Sequence, residues 1–133
     1  MKPVSARLTR GLNLGSLVLA ADNSGAALVR ITGVKRGKSR RGRQIAATIG
    51  DWVKVSVRKG LPDMKGKVFD AIVIRQRMPF RRRTGERICF TDNAVVLLKD
   101  EKGNPKGTQV KGPVPREVQE RWKEVAKLSS TVV

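Results

Sequence analysis

The sequence has no histidine, no tyrosine and one cysteine, and each shortage closes off a class of function. Without His, the side chain best suited to proton transfer near neutral pH is absent. With Cys89 as the only thiol, neither an intrachain disulfide framework nor a Cys/His metal set can form. Cys89 lies between Ile88 and Phe90 in an apolar run, which reads as a core thiol in a reducing compartment. Aromatic residues are scarce as well: three Phe and two Trp, with no run in which several of them alternate with cations. A stacking groove for single-stranded nucleic acid needs several aromatics among its basic residues, so that mode is not expected.

Long apolar runs are also missing. Leu12 to Ala21, following Lys2, Arg7 and Arg10, is leader-like, yet Asn13, Gly15 and Ser16 interrupt it and no cleavage signal precedes Asp22. No run approaches the roughly 20 residues of a membrane span, so a soluble, cytoplasmic protein without membrane contact is expected.

Acidic residues are few: 11 Asp and Glu stand against 29 Lys and Arg, for a net charge of +18 on 133 residues. Such a field opposes compaction until a polyanion neutralises it. Nucleic acid fits, because each neutralised phosphate releases condensed counterions.

The length suits one domain. Residues 1–13 are basic, contain Pro3 and lack a period, as in an extended tail. Short apolar runs separated by turn residues follow, the pattern of a small all-β domain. Ser16 to Ala21 and Ala26 to Val34 flank the turn signal Asp22-Asn23-Ser24-Gly25. Trp52 to Arg58 alternates, with Val53, Val55 and Val57 on one face and Trp52, Lys54, Ser56 and Arg58 on the other. Ala71-Ile72-Val73-Ile74, within Val68 to Gln76, reads as a buried strand of a closed sheet. Arg87 to Thr91 and Ala94 to Lys99 flank Asp92-Asn93 as a second hairpin, and a polar turn follows at Asp100 to Gly103. After Gly112, Val118, Trp122, Val125 and Ala126 take helical spacing behind Pro115, predicting one short amphipathic helix. The expected fold is mainly β: a small closed five-stranded barrel over 14–111, with projecting basic loops or ribbon and a C-terminal helical element over 112–133. Closure removes exposed strand edges.

Two basic clusters carry the functional signal. In residues 35–43, six of nine are cationic: Lys35, Arg36, Lys38, Arg40, Arg41 and Arg43. The second cluster, over 75–87, contains Arg75, Arg77, Arg81, Arg82, Arg83 and Arg87. Both fall between strands and contain nothing that builds a core, so both are expected to project and bind RNA phosphates. Arginine's planar fork holds phosphate through two hydrogen bonds. A short charge run more often makes a solvated loop, but two dense clusters in one small chain weigh against that. Phe80 either stacks on a base or anchors the arm, and anchoring is the commoner fate of a lone aromatic. Trp122 with Val118 and Val125 should fix the helix, while Arg116, Arg121 and Trp122 are candidates for a protein partner.

Motifs for catalysis fail on spacing. Gly33-Val34-Lys35-Arg36-Gly37-Lys38-Ser39 has three residues between its glycines where a phosphate-binding loop needs four, and no helical pattern follows. Asp22-Asn23-Ser24-Gly25 departs from a protease signature by one residue. Asp51, Asp63, Asp70 and Asp92 show no paired spacing. No enzymatic role and no cofactor are expected.

Ala21-Asp22-Asn23-Ser24-Gly25-Ala26 resembles the opening hairpin of the universal large-subunit ribosomal protein L-fourteen family. Ala71-Ile72-Val73-Ile74, Gly85, Phe90, Asn93, Val96 and Leu97 resemble its central signature. Gly50-Asp51, Gly107 and Gly112-Pro113-Val114 fit as well, so the likeness covers residues 15–128. Thr84 departs from the Asp, Asn or Ser expected before Gly85. The N-terminal segment and Val73-Ile74-Arg75-Gln76-Arg77 resemble the archaeal and eukaryotic branch, and the 35–43 insert the archaeal one.

The resemblance implies a structural constituent of the large ribosomal subunit at the subunit interface. Implied partners are large-subunit ribosomal RNA, small-subunit RNA at an intersubunit bridge, neighbouring ribosomal proteins and an anti-association initiation factor. Two rival readings stay open here: a free-standing nucleic-acid-binding barrel, and a docking module for an acidic protein. Under the ribosomal reading, replacing Arg81, Arg82 and Arg83 together by Ala should weaken assembly and leave the fold intact.

Overall fold

The computed structural model describes residues 3, 4 and 6–133. Along the chain run β1 (Ala6–Arg7), β2 (Leu12–Asn13), β3 (Leu17–Ala20), β4 (Ala26–Val34), β5 (Ala46–Ala47), β6 (Trp52–Gly60) and β7 (Val68–Arg75). They are followed by β8 (Phe80–Arg82), β9 (Arg87–Ile88), β10 (Ala94–Leu97), α1 (Arg116–Arg121) and α2 (Lys123–Lys127). Five of these strands close into a barrel in the order β10-β3-β4-β6-β7, the expected architecture. Its neighbours are antiparallel except β10 and β3, which run parallel and make the closure.

Alternation explains which side chains fill it. Val53, Val55 and Val57 of β6 point inward and meet Val29 and Ile31 of β4 and Ala71 and Val73 of β7. The outer face of β7 and β10 is buried too: Ile72, Ile74, Ala94 and Val96 pack beneath Val110, Val114, Val118 and Val125 of the C-terminal segment. These two strands lie between two cores, which is why their sequences read as unbroken apolar runs. Each fully buried Val or Ile contributes about 1.5–3 kcal/mol. The second core also covers Trp52, the first residue on the outer face of β6.

Three local expectations need correction. Arg87 to Thr91 and Ala94 to Lys99 do not form a hairpin, because β9 pairs with β8 whereas β10 pairs with β3 and β7. Asp92 and Asn93 use their side chains elsewhere: Asp92 accepts from Arg75, and Asn93 Oδ1 accepts from the Arg77 N–H. The single predicted helix is two, broken at Trp122 (φ −129°, ψ 74°), whose indole N–H donates to the Gly50 carbonyl at 2.7 Å. Cys89 is exposed, since Ile88 and Phe90 take the inward positions of the alternation and leave it outward.

The basic N-terminal segment is held by the body of the protein. Positions 1, 2 and 5 of the expected tail, Lys2 among them, lie outside the described residues. Further along, β1 pairs with β8 and β2 with β5. Between those strands, the Thr9 carbonyl accepts from Gln76 Nε2 at 2.7 Å and Thr48 Oγ1 at 2.9 Å. Gln76 is fully buried, so this bond anchors the segment to a polar group that has no access to water.

Candidate nucleic-acid interface

Every cation of the first basic cluster is exposed. After β4 the backbone turns at Lys35 and Arg36, where Arg36 takes φ 58° and the Gly37 N–H donates to the Val34 carbonyl. A second turn, Arg43 N–H to Arg40 carbonyl at 2.9 Å, brings the chain back to β5. Lys35, Arg36, Lys38, Arg40, Arg41 and Arg43 all face solvent, and none forms an ion pair among the described residues. The result is a folded arm of like charges with no internal anion.

The second cluster divides. β8 and β9 form a ribbon with β1 beside it, and in its register Arg7 pairs with Arg81 and Arg81 with Arg87. Three exposed arginines therefore lie in one cross-strand row, an arrangement that is destabilising by itself. Arg83 is exposed at the turn, where the Gly85 N–H donates to the Arg82 carbonyl at 3.0 Å. Phe80 is buried and anchors the ribbon.

Arg75 and Arg82 face inward. Arg75 grips both Asp92 oxygens at 2.9 and 3.2 Å and donates to the carbonyls of Lys111 and Pro113. Arg82 grips both oxygens of Glu117 at 2.8 and 3.2 Å, and donates to the carbonyl of Val133 at 2.9 Å. Arg77, although exposed, donates through Nε to the Thr91 carbonyl. Arg82 is thus an internal clamp, so the triple change at 81–83 touches the fold, contrary to expectation.

The three candidates for a protein partner also separate. Arg116 is exposed at the start of α1. Arg121 is half-buried against Asp51 at 3.5 Å, and Trp122 meets Trp52 edge-on at 5.6 Å. Arg121 and Trp122 line a groove of about 860 Å³ together with the first arm, Arg10, Glu101 and Lys102. Eight Lys or Arg border it, against two carboxylates, Asp51 and Glu101. On its floor the Lys35 ammonium sits 3.8 Å from the centroid of the Trp52 ring. Arg7, Arg10 and Lys102 escaped the sequence reading because each is separated in sequence from both clusters and is brought in by strand pairing or by a turn.

That turn is stiffened by Asp100. The Asn104 side-chain amide, donating at 2.9 Å, is the main cause holding the Asp100 carboxyl below its ordinary value, with backbone N–H groups of Asn104 and Lys102 adding to it. Gly103 has φ +92° and lies against Trp122, where a Cβ would fall 3.1 Å from the ring. Among the described residues, no group of three or more His, Cys, Asp or Glu could hold a metal ion.

Residues 11–133 match the family described as ribosomal protein L14p/L23e. The whole chain aligns with the whole of the protein named large ribosomal subunit protein uL14 from Nanoarchaeum equitans, with 50% identity over 133 residues. It aligns over full length with proteins of the same name from Picrophilus torridus, at 47%, and Halobacterium salinarum, at 44%.

Proposed function

The chain belongs to the ribosomal protein L14p/L23e family, whose members are structural, non-enzymatic constituents of the large ribosomal subunit, and we propose from that premise that it grips large-subunit ribosomal RNA through both arms. The relatives named above are archaeal, in keeping with the branch the sequence resembles, and its place is in the cytoplasm within the ribosome.

The row Arg7, Arg81 and Arg87 carries this reading. Cross-strand neighbours of one sign repel, and phosphates laid along the ribbon would convert that repulsion into charge-assisted bonds. The exposed first arm presents the same requirement at a separate place. The finer assignment includes a contact from one arm to small-subunit RNA at an intersubunit bridge. Arg116 and the exposed flank of α1 then serve neighbouring ribosomal proteins and an anti-association initiation factor.

The test replaces Arg81, Arg83 and Arg87 by Ala and leaves the Arg82 clamp in place. The isolated protein should unfold at the same denaturant concentration as the parent. Its RNA affinity should depend less steeply on salt, the logarithmic slope falling by roughly 0.7–0.9 for each phosphate contact removed. Unchanged slope together with normal entry into subunits at raised salt would rule out the second arm as an RNA contact.

A further inference from the structure

The groove beneath the first arm differs from the arms in shape. Four segments distant in sequence converge on it: Arg10, the arm itself, the turn at Glu101 and Lys102, and Arg121 with Trp122. An exposed ridge of cations suits the phosphates bordering an A-form helix, which proteins recognise by shape across its shallow minor groove. A hollow of about 860 Å³ does not admit a duplex. Its size falls within the range of ordinary ligand pockets, roughly 300–1,000 Å³, which suits a few unpaired nucleotides.

Its floor has the other component that single-strand recognition needs. Both tryptophans of the chain meet there, 5.6 Å apart with planes at 67°. In the sequence Trp122 stands between Arg121 and Lys123 while Trp52 is apart from both basic clusters, and the fold brings the two together among the groove cations. Lys35 occupies the Trp52 face as a cation–π contact, and the Trp52 indole N–H is buried without a hydrogen-bond partner among the described residues. Of the two acids bordering the groove, Asp51 is already offset by Arg121 at 3.5 Å.

We infer that this groove binds a short single-stranded stretch of RNA. Phosphates lie against Arg10, Lys35 and Lys102, and a base stacks toward the indole pair as the Lys35 ammonium transfers from the ring to a phosphate. The inference rests on the RNA-binding reading and adds a division of labour: the ribbon meets helical RNA, and the groove selects unpaired nucleotides.

With no tyrosine in the chain, its near-ultraviolet emission comes from these two tryptophans and reports directly on the groove. The full chain is titrated with a short single-stranded oligoribonucleotide and with a blunt RNA duplex at fixed ionic strength. The single strand should change the emission saturably, and the duplex should bind with little change. Lys102→Glu and, on a different segment, Arg10→Glu should each weaken single-strand binding by about tenfold or more, as loss of a charge-assisted contact implies. Arg83→Glu should weaken duplex binding and leave the emission response intact. The inference is overturned if the single strand binds without an emission change, if the duplex or an acidic peptide changes it equally, or if both groove variants bind as the parent does. Binding by duplex alone removes the groove assignment and leaves the RNA reading standing; binding of neither RNA removes both.

Discussion

One residue type has two opposite roles in the segment 75–87. Arg75 and Arg82 are internal fasteners, whereas Arg81, Arg83 and Arg87 face solvent. The sequence cannot separate them, because the distinction is made by acids 17 and 35 positions away, Asp92 and Glu117. Arg75 also explains Gly112: with φ +82°, a Cβ there would lie 2.6 Å from the Arg75 guanidinium. Replacing Arg75 by Ala leaves Asp92 and two carbonyls without their donor and should cost about 3 kcal/mol in urea unfolding. Arg81→Ala should change stability by no more than about 0.5 kcal/mol and weaken RNA binding. If both variants unfold alike, the inward role of Arg75 is wrong. At Gly103, left-handed backbone and the adjacent Trp122 ring both oppose a side chain. Gly103→Ala should destabilise by about 1–2 kcal/mol and alter tryptophan emission, because the turn and the indole move together.

Between elements, legibility followed burial. β4, β6, β7 and β10 were readable because alternation or two-sided burial leaves a strong apolar pattern. β8 was not, since three residues, two of them Arg, give no period, and it was expected only as loop or ribbon; β9 fell within the strand expected over Arg87 to Thr91 but pairs with β8. The helix break escaped because the spacing of Val118, Trp122 and Val125 is unaffected by a kink whose cause is a bond to Gly50, far away in sequence. The clamp joining α1 to the ribbon was equally invisible. Arg82 and Glu117 are both nearly buried, so Glu117→Ala strands a charge and should cost about 3–5 kcal/mol. Hydrogen exchange should show the loss first in residues 80–88 and at the C-terminus, where Arg82 holds Val133. Exchange rising uniformly across the barrel would contradict that placement. The Asp100 turn gives a pH-dependent counterpart. Its carboxyl is held below the ordinary 3.8, chiefly by Asn104, so the contribution is complete above that value and is lost as pH falls through the lowered folded pKa. Acid titration followed by backbone NMR should show residues 100–104 loosening in that window, and Asp100→Asn should remove the pH dependence.

At the scale of the whole molecule, a net charge of +18 is carried by a barrel with two well-filled cores, and the two features oppose each other. The apolar clusters compact the chain, while the arms hold unpaired cations close together. The free protein is therefore less stable than its cores alone would make it, and a polyanion relieves the conflict. Replacing Lys38, Arg40, Arg41 and Arg43 by Ser removes four exposed cations that make no ion pair among the described residues and pack no core. At low salt this variant should melt at the same temperature as the parent or higher, because it loses only repulsion. Added salt or inorganic polyphosphate should raise the melting temperature of the parent more than that of the variant, since screening acts only on charge that is present. In RNA binding the order reverses: the variant should be weaker, with a logarithmic salt slope shallower by up to about 3, at about 0.7 for each of four phosphate contacts. A variant that melts lower at every salt concentration would show the first arm to be part of the folded architecture, and its charge could then no longer be assigned to an absent partner.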